Sequence, residues 1–182
     1  MWFTILHDHS EPLLPWGVVI GASLCAAVTD ARARRIPNLL TLPLVASGWI
    51  RAGAACGVAG FGDSLAATLV LAAPFVLLFA FGGGGAGDAK LMGGIGAWLG
   101  VVDGFVTLLA VCLAGMVLGV AFAAWKKRLG AVLANLTGAA YGFLQRSLPA
   151  VDDGQKLPYG IAISAGTVVA AGFTWIWRIR TS

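Results

Sequence analysis

Two aspartates stand out in a chain that carries little charge. Asp30 opens the run Asp30-Ala31-Arg32-Ala33-Arg34-Arg35-Ile36-Pro37-Asn38, and Asp88 lies in Gly85-Ala86-Gly87-Asp88-Ala89-Lys90-Leu91-Met92. Each borders a long apolar stretch, where a carboxylate is costly unless it is paired, solvated or used. Two carboxyls brought together can share one proton and activate a water, which is acid–base chemistry suited to hydrolysis. The pattern points to an aspartic peptidase at or within a membrane.

The elements that must position these acids are apolar. Of the 182 residues, 59% are hydrophobic and 11% are charged, against roughly 25% charged in a soluble domain. The mean hydropathy is +0.88. These values place the chain in a bilayer as one all-α polytopic domain over residues 1–182. The net charge of +4 does not indicate a nucleic-acid partner, because the basic residues fall in short clusters between apolar runs, as they do at membrane borders. The segment Met1-Trp2-Phe3-Thr4-Ile5-Leu6-His7-Asp8-His9 lacks the basic start of a secretory signal, so the first apolar run is expected to be a retained span. Cys25, Cys56 and Cys112 form no Cys-x-x-Cys pair and read as packing residues. His7 and His9 have no further ligand nearby in sequence, so no metal site is expected.

At about 17–25 residues per crossing, the apolar pattern predicts six transmembrane helices, over 13–29, 39–58, 65–81, 89–102, 105–125 and 159–177. Arg51 lies in the second, placed to snorkel. The run of glycines at 82–85 separates the third from the fourth. Segment 126–158 opens with Lys126-Lys127-Arg128 and closes with Asp152-Asp153-Gly154-Gln155-Lys156. It reads as a helix lying at the interface, and its apolar middle leaves room for a seventh span. With six spans, Arg32, Arg34, Arg35, Lys90, Lys126, Lys127, Arg128, Arg146 and Lys156 fall on one face. Arg51, Arg178 and Arg180 fall on the other. The richer face is expected to be cytoplasmic and the N-terminus periplasmic, with Arg178 and Arg180 running against the rule. Asp30 and Asp88 then share the cytoplasmic border.

Each motif has a plainer structural role beside its chemical one. Asp88 follows flexible glycines at the start of a helix, where exposed amides favour a carboxylate, so it also reads as a cap. Asp30 is placed to pair with Arg34 or Arg35, and Pro37 stops the helix in a tight turn. Lys90 is either a border lysine or a cation that tunes the acids or contacts peptide carbonyls. Gly96-x-x-x-Gly100 and Gly115-x-x-x-Gly119 are expected to let helices approach closely.

Together, Asp30-x-Arg-x-Arg-Arg-Ile-Pro-Asn and Gly85-Ala86-Gly87-Asp88-Ala89-Lys90-Leu91-Met92 resemble the type IV prepilin peptidase family. Lys156-Leu157-Pro158-Tyr159-Gly160-Ile161-Ala162 is similar to the Pro-Tyr-Gly motif opening that family's last helix. The resemblance implies an aspartic endopeptidase of the bacterial inner membrane. Such an enzyme removes the short basic leader of prepilins or pseudopilins at the cytoplasmic face, without metal or organic cofactor. Asp30 and Asp88 match the two catalytic aspartates. Gly85, Gly87, Lys90, Pro37, Asn38, Pro158, Tyr159 and Gly160 match positions expected to shape the site or bind substrate. The chain shows no paired Cys-x-x-Cys domain for N-methylation, so no methyltransferase activity is expected. In this it resembles the short, peptidase-only branch serving Flp pili of tight-adherence systems. The alternative is a membrane protein without enzymatic activity, a small transporter or pilus-assembly scaffold using the acids as an ion or salt-bridge site.

Overall fold

The computed structural model describes residues 13–80, 85–125 and 159–181. These form four helices: α1 (Leu13–Ala33), α2 (Asn38–Ala80), α3 (Ala86–Trp125) and α4 (Tyr159–Thr181). All four are long and apolar enough to cross a membrane. Four such helices, where the sequence predicts six, is a correction with a local cause. The predicted breaks at 59–64 and 103–104 are helical, and the interruptions shrink to Cys56–Gly57 in α2 and Gly100 in α3.

At those points the helices fold back on themselves. The Trp49 indole N–H donates to the Thr68 hydroxyl at 3.0 Å, across 19 residues, whereas a straight helix would hold these positions about 28 Å apart. Trp49 also meets Phe61 edge to face, with ring centroids 6.1 Å apart. In α3, a Cβ on Gly104 would lie 3.8 Å from the Gly96 Cα, where a straight helix would separate the two residues by about 12 Å. Gly57 (φ 60°, ψ −145°) and Gly100 (φ 73°, ψ −177°) take backbone angles that are closed to side-chain-bearing residues, so each reversal depends on its glycine.

The first arm of α3 is the hub. From Asp88 to Gly100 almost every residue is buried, Lys90 and Trp98 being more open. A helix apolar on all sides belongs in the centre. Its glycines let both arms of α2 close around it: Leu44 packs against Gly94, Thr68 against Gly93 and the Ala67 carbonyl against Gly96. The Ser64 hydroxyl donates to the Ala97 carbonyl at 2.7 Å, and the Trp98 indole donates to the Leu44 carbonyl at 2.9 Å. Leu71, Leu91, Met92, Ile95, Val19 and Ile163 are fully buried around this hub. On the far side, α4 packs against α1 and the second arm of α3, where Gly166 abuts Val111.

Three smaller expectations change. Gly100 is the bend rather than a packing face, and Gly119 faces open space. Gly96 and Gly115 do carry close contacts, Gly115 beside Ala162 and Tyr159. Arg51 lies over the Trp98 ring, its Cζ 5.6 Å from the centroid. The helix expected at 126–158, the room for a seventh span, and Pro158 lie outside the described residues.

Candidate active site

Asp30 sits in the last turns of α1. That helix ends because Arg34 turns into the left-handed region (φ 51°), and its amide donates to the Asp30 carbonyl at 2.8 Å, an αL cap made without glycine. The chain then runs through Arg35 and Ile36 to Pro37, whose carbonyl accepts the first amides of α2 from Leu40 and Thr41. The Asp30 carboxylate does not pair with Arg34 or Arg35. It accepts the Gly160 amide at 2.9 Å instead. This bond joins the end of α1 to the start of α4 and satisfies one exposed N–H of that helix. A Cβ on Gly160 would lie 3.0 Å from the Asp30 Cβ and 3.2 Å from the Ala27 Cα, so the absence of a side chain lets the two helices meet.

Asp88 is buried in the first turn of α3, with 7% of its surface exposed. It stands three residues after Gly85, which occupies the capping position. The Asp88 amide donates to the Gly85 carbonyl at 3.1 Å, and the Gly85 amide returns to Asp88 Oδ2 at 3.2 Å. This is the reciprocal half of a capping box. The capping role read from the sequence is therefore real, and it uses only Oδ2. Among the described residues, Oδ1 of Asp88 and Oδ1 of Asp30 carry no protein partner, and no Lys or Arg pairs with either acid.

The acids come together because their segments interlock. Ile36 lies directly against Gly87, where a Cβ would be 2.9 Å from the Ile36 Cβ. Lys90 Nζ donates to Asn38 Oδ1 at 2.9 Å. Asp30 and Tyr159 both lie within electrostatic reach of Asp88. One end of the bundle thus gathers Asp30, Asp88, Tyr159 and Gly160, braced by Ile36, Asn38, Gly85, Gly87 and Lys90. Pro37 is exposed at the start of α2 and serves there by its carbonyl.

The family model for type IV leader peptidases matches residues 17–120. The chain belongs to that family. No curated protein and no solved structure matches it. The matched range holds both aspartates and ends before Tyr159 and Gly160, which reach the site through α4. Membership in the type IV leader peptidase family supports a peptidase function of that general kind, and its membrane setting agrees with four apolar helices.

The sequence reading passed over two further acids. The Asp103 carboxylate accepts from Arg178 at 2.7 Å, and Asp63 accepts the Val101 amide at 3.4 Å, just past the bend at Gly100. A signal for the first existed. Arg178 broke the charge rule, and a cation in an apolar helix calls for a counter-ion.

Proposed function

We propose that this chain is an aspartic endopeptidase that cleaves the basic leader from Flp-type prepilins at the cytoplasmic face of the inner membrane, with Asp30 and Asp88 as its catalytic pair. One observation carries the reading. Two acids lie at one end of an apolar bundle, each held through one oxygen by a backbone amide, and among the described residues neither is paired with a cation. Such an arrangement is poor for stability and suited to holding a single shared proton.

In this reaction the ionised carboxylate takes a proton from water, and the resulting hydroxide attacks the scissile carbonyl carbon. The protonated partner donates to the carbonyl oxygen, giving a neutral tetrahedral intermediate. As the C–N bond breaks, the proton taken from water passes to the leaving amine and the carbonyl re-forms. Its hydroxyl proton returns to the carboxylate that donated it, restoring the singly protonated pair. The amides of Gly85 and Gly160 orient the two acids by holding Oδ2 and leave Oδ1 for water and substrate. The pilin's apolar helix lies against the bundle within the bilayer, and its basic leader stays in the cytoplasm. The N-terminus of the chain is then periplasmic.

The test is co-expression with an Flp-type prepilin, following the size of the pilin. Processing by wild type and none by Asp30→Asn or Asp88→Asn, with all three proteins inserted in the membrane, is expected. Processing by Asp88→Asn at a wild-type rate would sink the paired-carboxylate chemistry.

A further inference from the structure

We infer that Lys90 is a positioning residue, which through Asn38 sets the register between the two segments that carry Asp30 and Asp88. This rests on reading those acids as the catalytic pair. Lys90 is two residues beyond Asp88 in the first turn of α3, and Asn38 opens α2 directly after the turn that leaves Asp30. Their side chains meet at 2.9 Å across 52 residues.

Further along α2, Leu44 meets Gly94 and its carbonyl accepts from the Trp98 indole. At the turn itself the contacts described are two, and they differ in kind. Ile36 against Gly87 is apolar. It holds the turn near α3, but dispersion is weakly directional and tolerates sliding. The Lys90–Asn38 bond is directional, so it fixes how far along α3 the turn sits. A shift there carries Asp88 relative to Asp30, and misplacement of a reacting group by about 1 Å costs up to about a hundredfold in rate.

The other roles open to Lys90 fit less well. Its ammonium is turned to Asn38 and pairs with neither acid, so it does not neutralise the dyad. As a stabiliser it is weak, because an exposed lysine gives up about as much rotamer freedom as one charge-assisted bond returns. What remains is geometry. Asn38 is suited to it because a neutral acceptor adds no third negative charge beside the two acids.

The experiment uses the full chain in nanodiscs with an Flp-type prepilin and compares Lys90→Met, Asn38→Ala, the double variant and Lys90→Arg. Each single change is expected to lower kcat about tenfold with KM unchanged. The double variant should fall no further than either single one, and Lys90→Arg should recover most of the loss. Asn38→Ala separates position from charge because it leaves the lysine in place. Full kcat in Asn38→Ala beside a low kcat in Lys90→Met would overturn the inference in favour of a charge effect. A raised KM at wild-type kcat would overturn it in favour of substrate contact. Amide hydrogen exchange over 34–40 and 85–90 reads the tether without any cleavage. A matched rise in both single variants is expected, and unchanged exchange would overturn the tether. If wild type cleaves no prepilin while exchange rises, the proposed function fails and the tether stands.

Discussion

The two ends of the bundle each hold two acids, and they differ in that the far end supplies a cation to one of them. At the far end, Asp103 is bound to the Arg178 guanidinium and Asp63 accepts the first amide past a bend. At the near end, Asp30 and Asp88 each accept a backbone amide and, among the described residues, pair with no cation. Arg178 lies 18 residues beyond Gly160 on α4, about 27 Å at helical rise. Residue type is the same at both ends, so it does not mark a reactive acid. The mark is two acids at one end, each held by a backbone amide, with no cation paired to either among the described residues. A membrane protein tolerates acids so placed only where the charge is used.

The sharpest way to break this comparison is to neutralise one acid at each end. Asp30→Asn or Asp88→Asn is expected to reduce prepilin cleavage by roughly a thousandfold or more, since neither half of the pair can share the proton alone. Asp103→Asn is expected to leave kcat within about twofold, its cost falling on stability through the lost ion pair with Arg178. Steady-state cleavage by purified variants decides it. A large loss of kcat in Asp103→Asn would mean that the far end is coupled to the chemistry.

Next in size is the junction between α1 and α4. Gly160→Ala places a methyl 3.0 Å from the Asp30 Cβ and 3.2 Å from a backbone atom of Ala27, so α4 must move and the amide bond to Asp30 lengthens. A loss of roughly 10–100-fold in kcat is expected, larger than for any single change at the far end. Gly172→Ala on the same helix meets nothing within 4 Å and serves as the control, with wild-type turnover expected. Equal losses from both would show that the effect arises from α4 as a whole and not from its contact with Asp30.

The local features of the near end are legible in the sequence. Glycines before Asp88, the proline after the arginines and the Tyr159-Gly160 pair are short-range signals, each confined to one turn. The bonds that give them meaning were not legible. Sequence proximity offers Arg34 or Arg35 as the partner of Asp30, yet the partner is an amide 130 residues away. Spans were miscounted for a related reason. Glycine, aspartate and small residues near 59–64 look like a loop, but α2 packs so closely on the hub that its backbone stays helical up to a single bend. Arg178 looked like a violation of the charge rule, because its counter-ion lies 75 residues earlier.

The ion pair at the far end gives a smaller, purely structural effect. Arg178 and Asp103 are partly shielded, with side-chain exposures of 29% and 13%. Arg178→Met removes the 2.7 Å ion pair to Asp103. A loss of about 1–3 kcal/mol in unfolding free energy is expected, read as a lowered Tm in detergent, with cleavage unchanged. If Tm holds and cleavage falls, the two ends have been assigned the wrong roles.

The smallest effect tests the folding back of α2. Trp49→Phe keeps the ring near Phe61 and removes only the N–H that reaches Thr68. One hydrogen bond lost in this way costs about 1 kcal/mol. Thr68→Val removes the acceptor, and because the two residues share that single bond, the double variant should cost clearly less than the sum of the two. In a straight helix these side chains would sit about 28 Å apart and their effects would add. Non-additivity in thermal unfolding therefore tests the reversal at Cys56–Gly57 directly, through a pair of residues that touches neither end of the bundle.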